Sequence, residues 1–308
     1  MQDKMIPLIG FGVGTTWFKG FDHNIDDTPL NSSLIEQTKL ALDVGYTHLD
    51  LAEMYGNDRE VGAALELYFN DDHATGTSPS RRREDLWLTS KVAKNYSQPY
   101  KACKDTIDRL HCSYLDLFLL HCPIKFLSDK KYFESGVISF TIADIWREME
   151  LLVEHGLVKH IGVSNFRIED LEELLSICNI PPFINQVEFN PYLQQPDLQA
   201  YCKSKGILLA AYSPLGPINL WPGGPLDPII EQLGEKYSVP SSSILLRYAS
   251  QKGFIVITTS TKKERLIEYL SCFNGDAITL FELTTDELKL IDDVGSTLTK
   301  RMYWTSNF

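Results

Sequence analysis

Four side chains of different acid–base character stand where short apolar runs end. YTHLDL (46–51) carries Asp50, LWLTSK (86–91) ends on Lys91, and LDLFLL (115–120) is followed by His121. Tyr55 comes five residues after Asp50, within GYTHLDLAEMYGNDREVG (45–62). A carboxylate at the end of a buried strand is costly unless it is paired, and a lysine from the next run can pair with it. A tyrosine beside that ammonium gains in consequence. An isolated phenol has a pKa of about 10, too high for efficient proton transfer near neutrality. A nearby positive charge favours the phenolate, and each unit of lowering corresponds to about 1.4 kcal/mol. Asp50 would keep Lys91 charged and aimed, while His121 would hydrogen-bond a carbonyl and orient it. The four together form an apparatus for delivering a proton to a carbonyl oxygen. They include no nucleophile and no metal-ligand spacing, so the electrons need another source. A nicotinamide cofactor is the natural one.

Such a set works only if successive strands present it at one end. Eight short apolar runs read as strands buried on both faces. Besides the three above they are LIGFGV (8–13), KHIGVS (159–164), FINQVEF (183–189), ILLAAY (207–212) and FIVITT (254–259). Helical periodicity fills the intervals, at 32–45, 59–69, 100–111, 140–156, 167–179, 196–206, 225–253, 263–273 and 284–295. The pattern 225–253 is expected to break near Pro240. Eight strands alternating with helices fit a (β/α)8 barrel better than an open doubly wound sheet. No break in composition marks a linker, so residues 1–308 are expected to form one domain. In a barrel, reactive residues belong at strand C-termini. There, besides the four, stand Ser164 and Asn165, Gln186 and Glu188, Tyr212 and Ser213, and the run TTSTKKER (258–265).

Composition excludes several other classes. The net charge of -12 argues against nucleic-acid or anionic-membrane partners. No apolar stretch approaches the ~18 residues of a membrane helix, and the N-terminus has no signal-peptide pattern. A cytoplasmic location is therefore expected. Six scattered cysteines form no C-x-x-C pair and read as reduced thiols. GFGVGTTW (10–17) has the spacing G-x-G-x-G, which is not a dinucleotide fingerprint. Its glycines are expected to let the first strand pass close to a ligand. TTSTKKER combines a strand end, a helix start and basic residues, which suits an adenosine phosphate held by Lys262 and Arg265. Residues 70–85 read as a mobile loop, with Arg81 to Arg83 as a solvated run.

These motifs, in this order, resemble the aldo-keto reductases over nearly the whole chain. The matching stretches are GYTHLDLAEMYGNDREVG, LTSKV (88–92), LLHCPI (119–124), HIGVSNF (160–166), NQVEFNPYL (185–193), AYSPLG (211–216) and TTSTKKER. TTW (15–17) paired with a late YW (303–304) is similar to fungal members that reduce α-keto amides and ketolactones. The resemblance implies a TIM barrel with long catalytic-face loops and a C-terminal tail over the active site. It implies Tyr55 as general acid, Lys91 and Asp50 as its tuning pair, and His121 as carbonyl orienter. It implies NADPH as cofactor. Ser164, Asn165 and Gln186 would hold the nicotinamide carboxamide, and Tyr212 would stack on the ring. Ser213, Leu215 and Gly216 would wrap the pyrophosphate, with Ser260, Thr261, Lys262 and Arg265 on the 2′-phosphate. Thr15, Thr16 and Asp50 complete the cofactor contacts.

Trp17, Trp87, Cys122 and Trp304 are the candidates for the substrate pocket, each of which could equally be core. Three departures from the family stand out. Thr259 replaces the familiar lysine, leaving Lys262 as its substitute. Cys122 stands where many members carry an aromatic. The short N-terminus implies a reduced or missing hairpin at the barrel bottom. The expected partner is a small-molecule carbonyl, with the protein a monomer or at most a weak dimer. Two other readings compete: a Schiff-base lyase using Lys91, and a cofactor-binding regulatory barrel without turnover.

Overall fold

Runs that are apolar throughout, rather than alternating, need cover on both faces, and a parallel sheet wrapped by helices provides it. The computed structural model describes residues 4–19, 28–71, 81–128, 140–274 and 281–308. Its strands are β1 (Ile9–Gly12), β2 (His48–Asp50), β3 (Trp87–Val92), β4 (Leu115–Leu120), β5 (Val158–Ser164), β6 (Ile184–Glu188), β7 (Leu208–Tyr212) and β8 (Phe254–Thr258). They follow one another in sequence order around a closed barrel. Every residue of β3 and β4 is buried. The register sets Asp50 of β2 opposite Thr89 of β3, and Lys91 of β3 opposite Leu119 of β4.

The helices between the strands are α1 (Ser32–Asp43), α2 (Asp58–Asn70), α3 (Pro99–Arg109), α4 (Ile142–Glu154), α5 (Ile168–Leu175) and α6 (Pro196–Lys205). They continue with α7 (Gly216–Asn219), α8 (Asp227–Tyr237), α9 (Ser241–Gln251), α10 (Lys263–Asn274) and α11 (Thr285–Gly295). Several begin on side chains that satisfy the otherwise orphaned amides. Asn31 accepts from Leu34 N before α1, and Thr141 forms a capping box with Asp144 before α4. The long pattern 225–253 divides into α8 and α9, with Pro240 directly before α9. A proline disfavours helical backbone in the residue before it, which accounts for the break.

By contact density the chain forms two compact units: residues 1–7 with 11–185, and residues 8–10 with 186–308. The first contains β2 to β5 and the second β7 and β8, each strand with its helices. Two short elements escape helical periodicity: a 3-10 turn at Glu53–Tyr55, and α7. The loop expected at 70–85 falls largely outside the described residues, as does most of the 122–139 loop. The arginine run beside it is not uniformly solvated. Arg83 donates to Asp116 at 2.7 Å and to the carbonyls of Leu86 and Tyr114, whereas Arg82 is exposed. Residues 4–7 form no strand ahead of β1. Among the described residues no helix is long and apolar enough to cross a membrane.

Asp58 begins α2 and is buried. Burial pushes its carboxyl up to about 7, with Glu53 and Glu60 adding to the effect and Arg109 opposing it. The native state therefore keeps a proton that the unfolded chain releases near pH 4. Stability from this group falls as pH rises from about 4 to about 7 and is level above. Asp58→Asn carries no titrating proton and should flatten that decline. Urea midpoints of both proteins at about pH 5 and about pH 7.5 test this; equal slopes would refute it.

Candidate active site

Lys91 has no exposed surface, and its Nζ donates to Asp50 Oδ1 at 2.6 Å and to the Leu51 carbonyl at 2.7 Å. Asp50, the last residue of β2, is 2% exposed. The pair resolves the liability of each charge, since removing one partner of a buried pair costs roughly 3–5 kcal/mol. Burial pulls the Lys91 ammonium below its usual range, and the Asp50 carboxylate opposes that shift. Leu51 N in turn donates to the Thr89 carbonyl at 2.8 Å, which extends the β2–β3 ladder past Asp50.

Tyr55 ends the 3-10 turn that follows β2, and Gly56 closes the turn with a φ of 67°. That left-handed conformation suits glycine. The Tyr55 ring lies 5.4 Å from Lys91 Nζ and meets the His121 ring edge-on at 5.9 Å and 83°. Asp50, Tyr55, Lys91 and His121, expected from the sequence as a set, are thus neighbours in the first unit. Burial, and then the charge of Lys91, hold the His121 imidazole well below its usual pKa, so it is neutral near pH 7. Its Nδ1 is buried and makes no hydrogen bond among the described residues. Asn165 donates from Nδ2 to the His121 carbonyl at 2.9 Å and to Ser164 Oγ at 3.0 Å. Asn165 has a φ of 60°, a region in which asparagine is enriched among residues other than glycine.

Two residues outside the four seat Tyr55. A Cβ on Gly14 would lie 2.5 to 2.8 Å from three atoms of the Tyr55 ring, closer than real Cβ contacts. The sequence pointed to a ligand against these glycines; at Gly14 the group that comes close is the Tyr55 ring. Asn57 is fully buried, and its Nδ2 donates to the Val13 carbonyl at 2.9 Å and the Trp17 carbonyl at 3.4 Å. In sequence it looks like half of a Gly-Asn turn; in the fold it ties the segment after β1 to the turn of Tyr55.

In the second unit, Gln186 is buried on β6 and Tyr212 ends β7. Ser213 has a φ of 55° and accepts at its carbonyl from Gly216 N at 3.1 Å, which leads Leu215 and Gly216 into α7. Tyr303 meets the Tyr212 ring edge-on at 5.7 Å. It is held there by Glu188, whose carboxylate accepts from Met302 N at 2.9 Å and Tyr303 N at 3.0 Å. Burial pushes the Glu188 carboxyl up while those amides oppose it. The sequence flagged Glu188 on its strand without giving it a role. Ser260 Oγ accepts from Lys262 N at 3.1 Å where α10 begins, and Thr261, Lys262 and Arg265 are exposed. Among the described residues neither Lys262 nor Arg265 forms an ion pair, and Thr259 Oγ1 is buried without a hydrogen bond.

The four pocket candidates are all buried. Trp87 opens β3, four residues before Lys91, so the strand rise of about 3.3 Å per residue puts it some 13 Å away. It stacks on His160 at 5.6 Å and Phe183 at 6.2 Å, and Nε1 donates to Thr89 Oγ1. Of the two readings open for it, pocket or core, these contacts favour the core for Trp87. Cys122 has no exposed surface; its amide donates to Tyr96 Oη at 2.7 Å, which donates back to the Cys122 carbonyl at 2.8 Å. Burial raises the Cys122 thiol to about 12, so it stays neutral and presents no face to a substrate. Trp17 packs near Phe11 at 6.0 Å with 6% exposed, Trp304 is 5% exposed, and Thr15 and Thr16 are exposed in the segment after β1.

The Aldo/keto reductase family profile matches residues 11–219. The chain belongs to the aldo/keto reductase family. An NAD/NADP-dependent indole-3-acetaldehyde reductase of Schizosaccharomyces pombe is 39% identical over 285 residues, 92% of this chain and 90% of its own. An NADPH-dependent alpha-keto amide reductase of Saccharomyces cerevisiae is 33% identical, spanning 97% of this chain and 91% of its own. The solved structure of a Bombyx mori aldo-keto reductase in complex with NADP superimposes with a TM-score of 0.76 at 29% identity, covering 94% of this chain and 89% of that one. As a member of the family the protein is an oxidoreductase of the class acting on aldehydes and ketones.

Gly14→Ala tests how closely Tyr55 is seated. Displacing a reacting group by about 1 Å can cost on the order of 10²-fold in rate. The variant should lose about 10- to 100-fold in kcat on an aldehyde substrate while its melting temperature stays near wild type. Wild-type kcat would show either that Tyr55 tolerates the crowding or that it takes no part in the reaction.

Proposed function

We propose that this protein is an NADPH-dependent carbonyl reductase that turns activated ketones and aldehydes into alcohols with Tyr55 as general acid. The observation that carries this reading is the Lys91 ammonium, fixed by Asp50 at 2.6 Å and facing the Tyr55 ring at 5.4 Å. NADPH, when bound, supplies the hydride that the carbonyl carbon takes up. Tyr55 gives its proton to the carbonyl oxygen. Lys91 stabilises the phenolate left behind, because a positive charge beside a phenol favours the ionised form. Asp50 keeps that charge from drifting. His121, kept neutral by burial and by Lys91, can offer a ring N–H to the same oxygen and orient it.

Several features suit the cofactor. Exposed Lys262 and Arg265 at the start of α10, with the helix amides and Ser260, fit a phosphate group. Thr261 would join them. Ser164, Asn165 and Gln186 would hold the carboxamide, Tyr212 would stack on the ring, Ser213, Leu215 and Gly216 would line the pyrophosphate, and Thr15, Thr16 and Asp50 would add further cofactor contacts. The absence of lysine at Thr259 puts the demand for phosphate recognition on Lys262 and Arg265. For substrates we favour α-keto amides, α-keto esters and ketolactones, on the strength of the TTW and YW stretches and the yeast relative's named activity. The Schiff-base reading is weakened by Lys91 itself, which is fully buried and already donates to two acceptors.

Tyr55→Phe should bind NADPH as wild type does and lose about 10²–10⁴-fold in turnover, the usual worth of a general acid. Normal turnover would refute the assignment, and absence of turnover in the wild type across a panel of these carbonyls would favour a regulatory barrel. Arg265→Ala should weaken NADPH by about 1.5–3 kcal/mol, the scale of a lost charged hydrogen bond, and spare NADH. Equal weakening of both, read by fluorescence titration, would remove Arg265 from the 2′-phosphate.

A further inference from the structure

Glu53 stands two residues before Tyr55 and begins the same 3-10 turn. It is 5% exposed, so its charge must be met by protein. Three backbone amides meet it. Glu53 Oε2 accepts from Ala93 N at 2.8 Å, Lys94 N at 2.8 Å and Asn95 N at 3.3 Å. Oε1 accepts a hydrogen bond from Asn95 Nδ2. These donors are the residues directly after β3, and Ala93 lies two positions beyond Lys91. A second contact joins the same two segments: Ala52, Met54 and Ala93 form one buried cluster, with Tyr55 packed against it. A carboxylate that merely capped a loop could sit on any neighbouring element. This one sits on the turn that carries the tyrosine and grips the strand end that carries the lysine.

We infer that Glu53 is a positioning residue that sets the Lys91–Tyr55 contact by clamping the Glu53–Tyr55 turn to Ala93–Asn95. The inference rests on the reading of Tyr55 as general acid. It adds a residue that touches neither substrate nor cofactor and acts through the placement of two that do. The side chain is needed for the hydrogen bonds it makes at both of its terminal atoms rather than for its charge. A glutamine keeps one oxygen for the three amides, and its amide nitrogen can donate to Asn95 once the Asn95 side-chain amide turns over.

The test compares Glu53→Ala, Glu53→Gln and Tyr55→Phe in one assay of carbonyl reduction, with NADPH binding and thermal unfolding measured for each. Glu53→Ala should lose about 10- to 100-fold in kcat, as expected for a reacting group displaced by about 1 Å. Its KM and NADPH Kd should stay within about twofold of wild type, and Glu53→Gln should recover most of the lost kcat. Wild-type kcat in Glu53→Ala, a loss that merely tracks the unfolded fraction, or a Glu53→Gln as poor as the alanine would each overturn the inference. If Glu53→Ala does not fold, Asn95→Ala removes a single donor at an exposed position and should lower kcat severalfold; an unchanged kcat there would overturn the inference too. Tyr55→Phe separates the two ideas. If it turns over normally, the general-acid reading fails; if it is inactive while Glu53→Ala is normal, only the clamp fails.

Discussion

A lysine ammonium and an aspartate carboxylate, both stripped of water, constrain everything around them. Lys91 cannot leave Asp50 without stranding a charge in the core, so β2 and β3 cannot slip against each other. The same ammonium disfavours a proton on His121 and faces the ring of Tyr55. Burial, with this charge adding to it, keeps His121 neutral, and the same charge sets the electrostatic surroundings of Tyr55. The strands supply the rigidity, and the turn after β2 supplies the reach.

Much of this arrangement was legible in the residues. Eight apolar runs gave the eight strands, because strands covered on both faces leave an unbroken apolar record. The pairing of Asp50 with Lys91 followed from their places at the ends of successive runs. The break at Pro240 followed from its backbone chemistry. Other features depend on partners that lie far off in sequence. Trp87 sits on the same strand as Lys91, and only its position at the opening end consigns it to the core. Cys122 is sealed by Tyr96, 26 residues away. The role of Glu53 depends on amides 40 residues further on, and nothing in the local pattern announces them. The spacing of the glycines at 10, 12 and 14 points to a ligand, whereas the group that crowds Gly14 is the Tyr55 ring, brought there from 41 residues further on.

A common device runs through these placements. The chain carries a net charge of -12, yet several of its carboxylates are buried rather than displayed. Glu53 gathers three backbone amides, Glu188 two, and Glu150 accepts from Asn179 N at 2.6 Å and Ile180 N at 2.9 Å. Glu188 and Glu150 each fix an irregular segment to a strand or helix, and Glu53 joins two irregular segments that follow neighbouring strands. Loops that carry function lack a ladder of their own, and a buried carboxylate offers them two acceptors at a fixed point.

The hold that Glu188 keeps on the tail has an evolutionary side. It grips Met302 and Tyr303 by their amide nitrogens, groups that every residue except proline possesses. The fastening is therefore indifferent to which side chains the tail carries. Residues 302 and 303 can drift through mutation, proline excepted, while the chain keeps its course beside Tyr212. A scaffold built this way can exchange the chemistry of its tail without relearning how to fold it, and a library at these positions would inherit the same freedom.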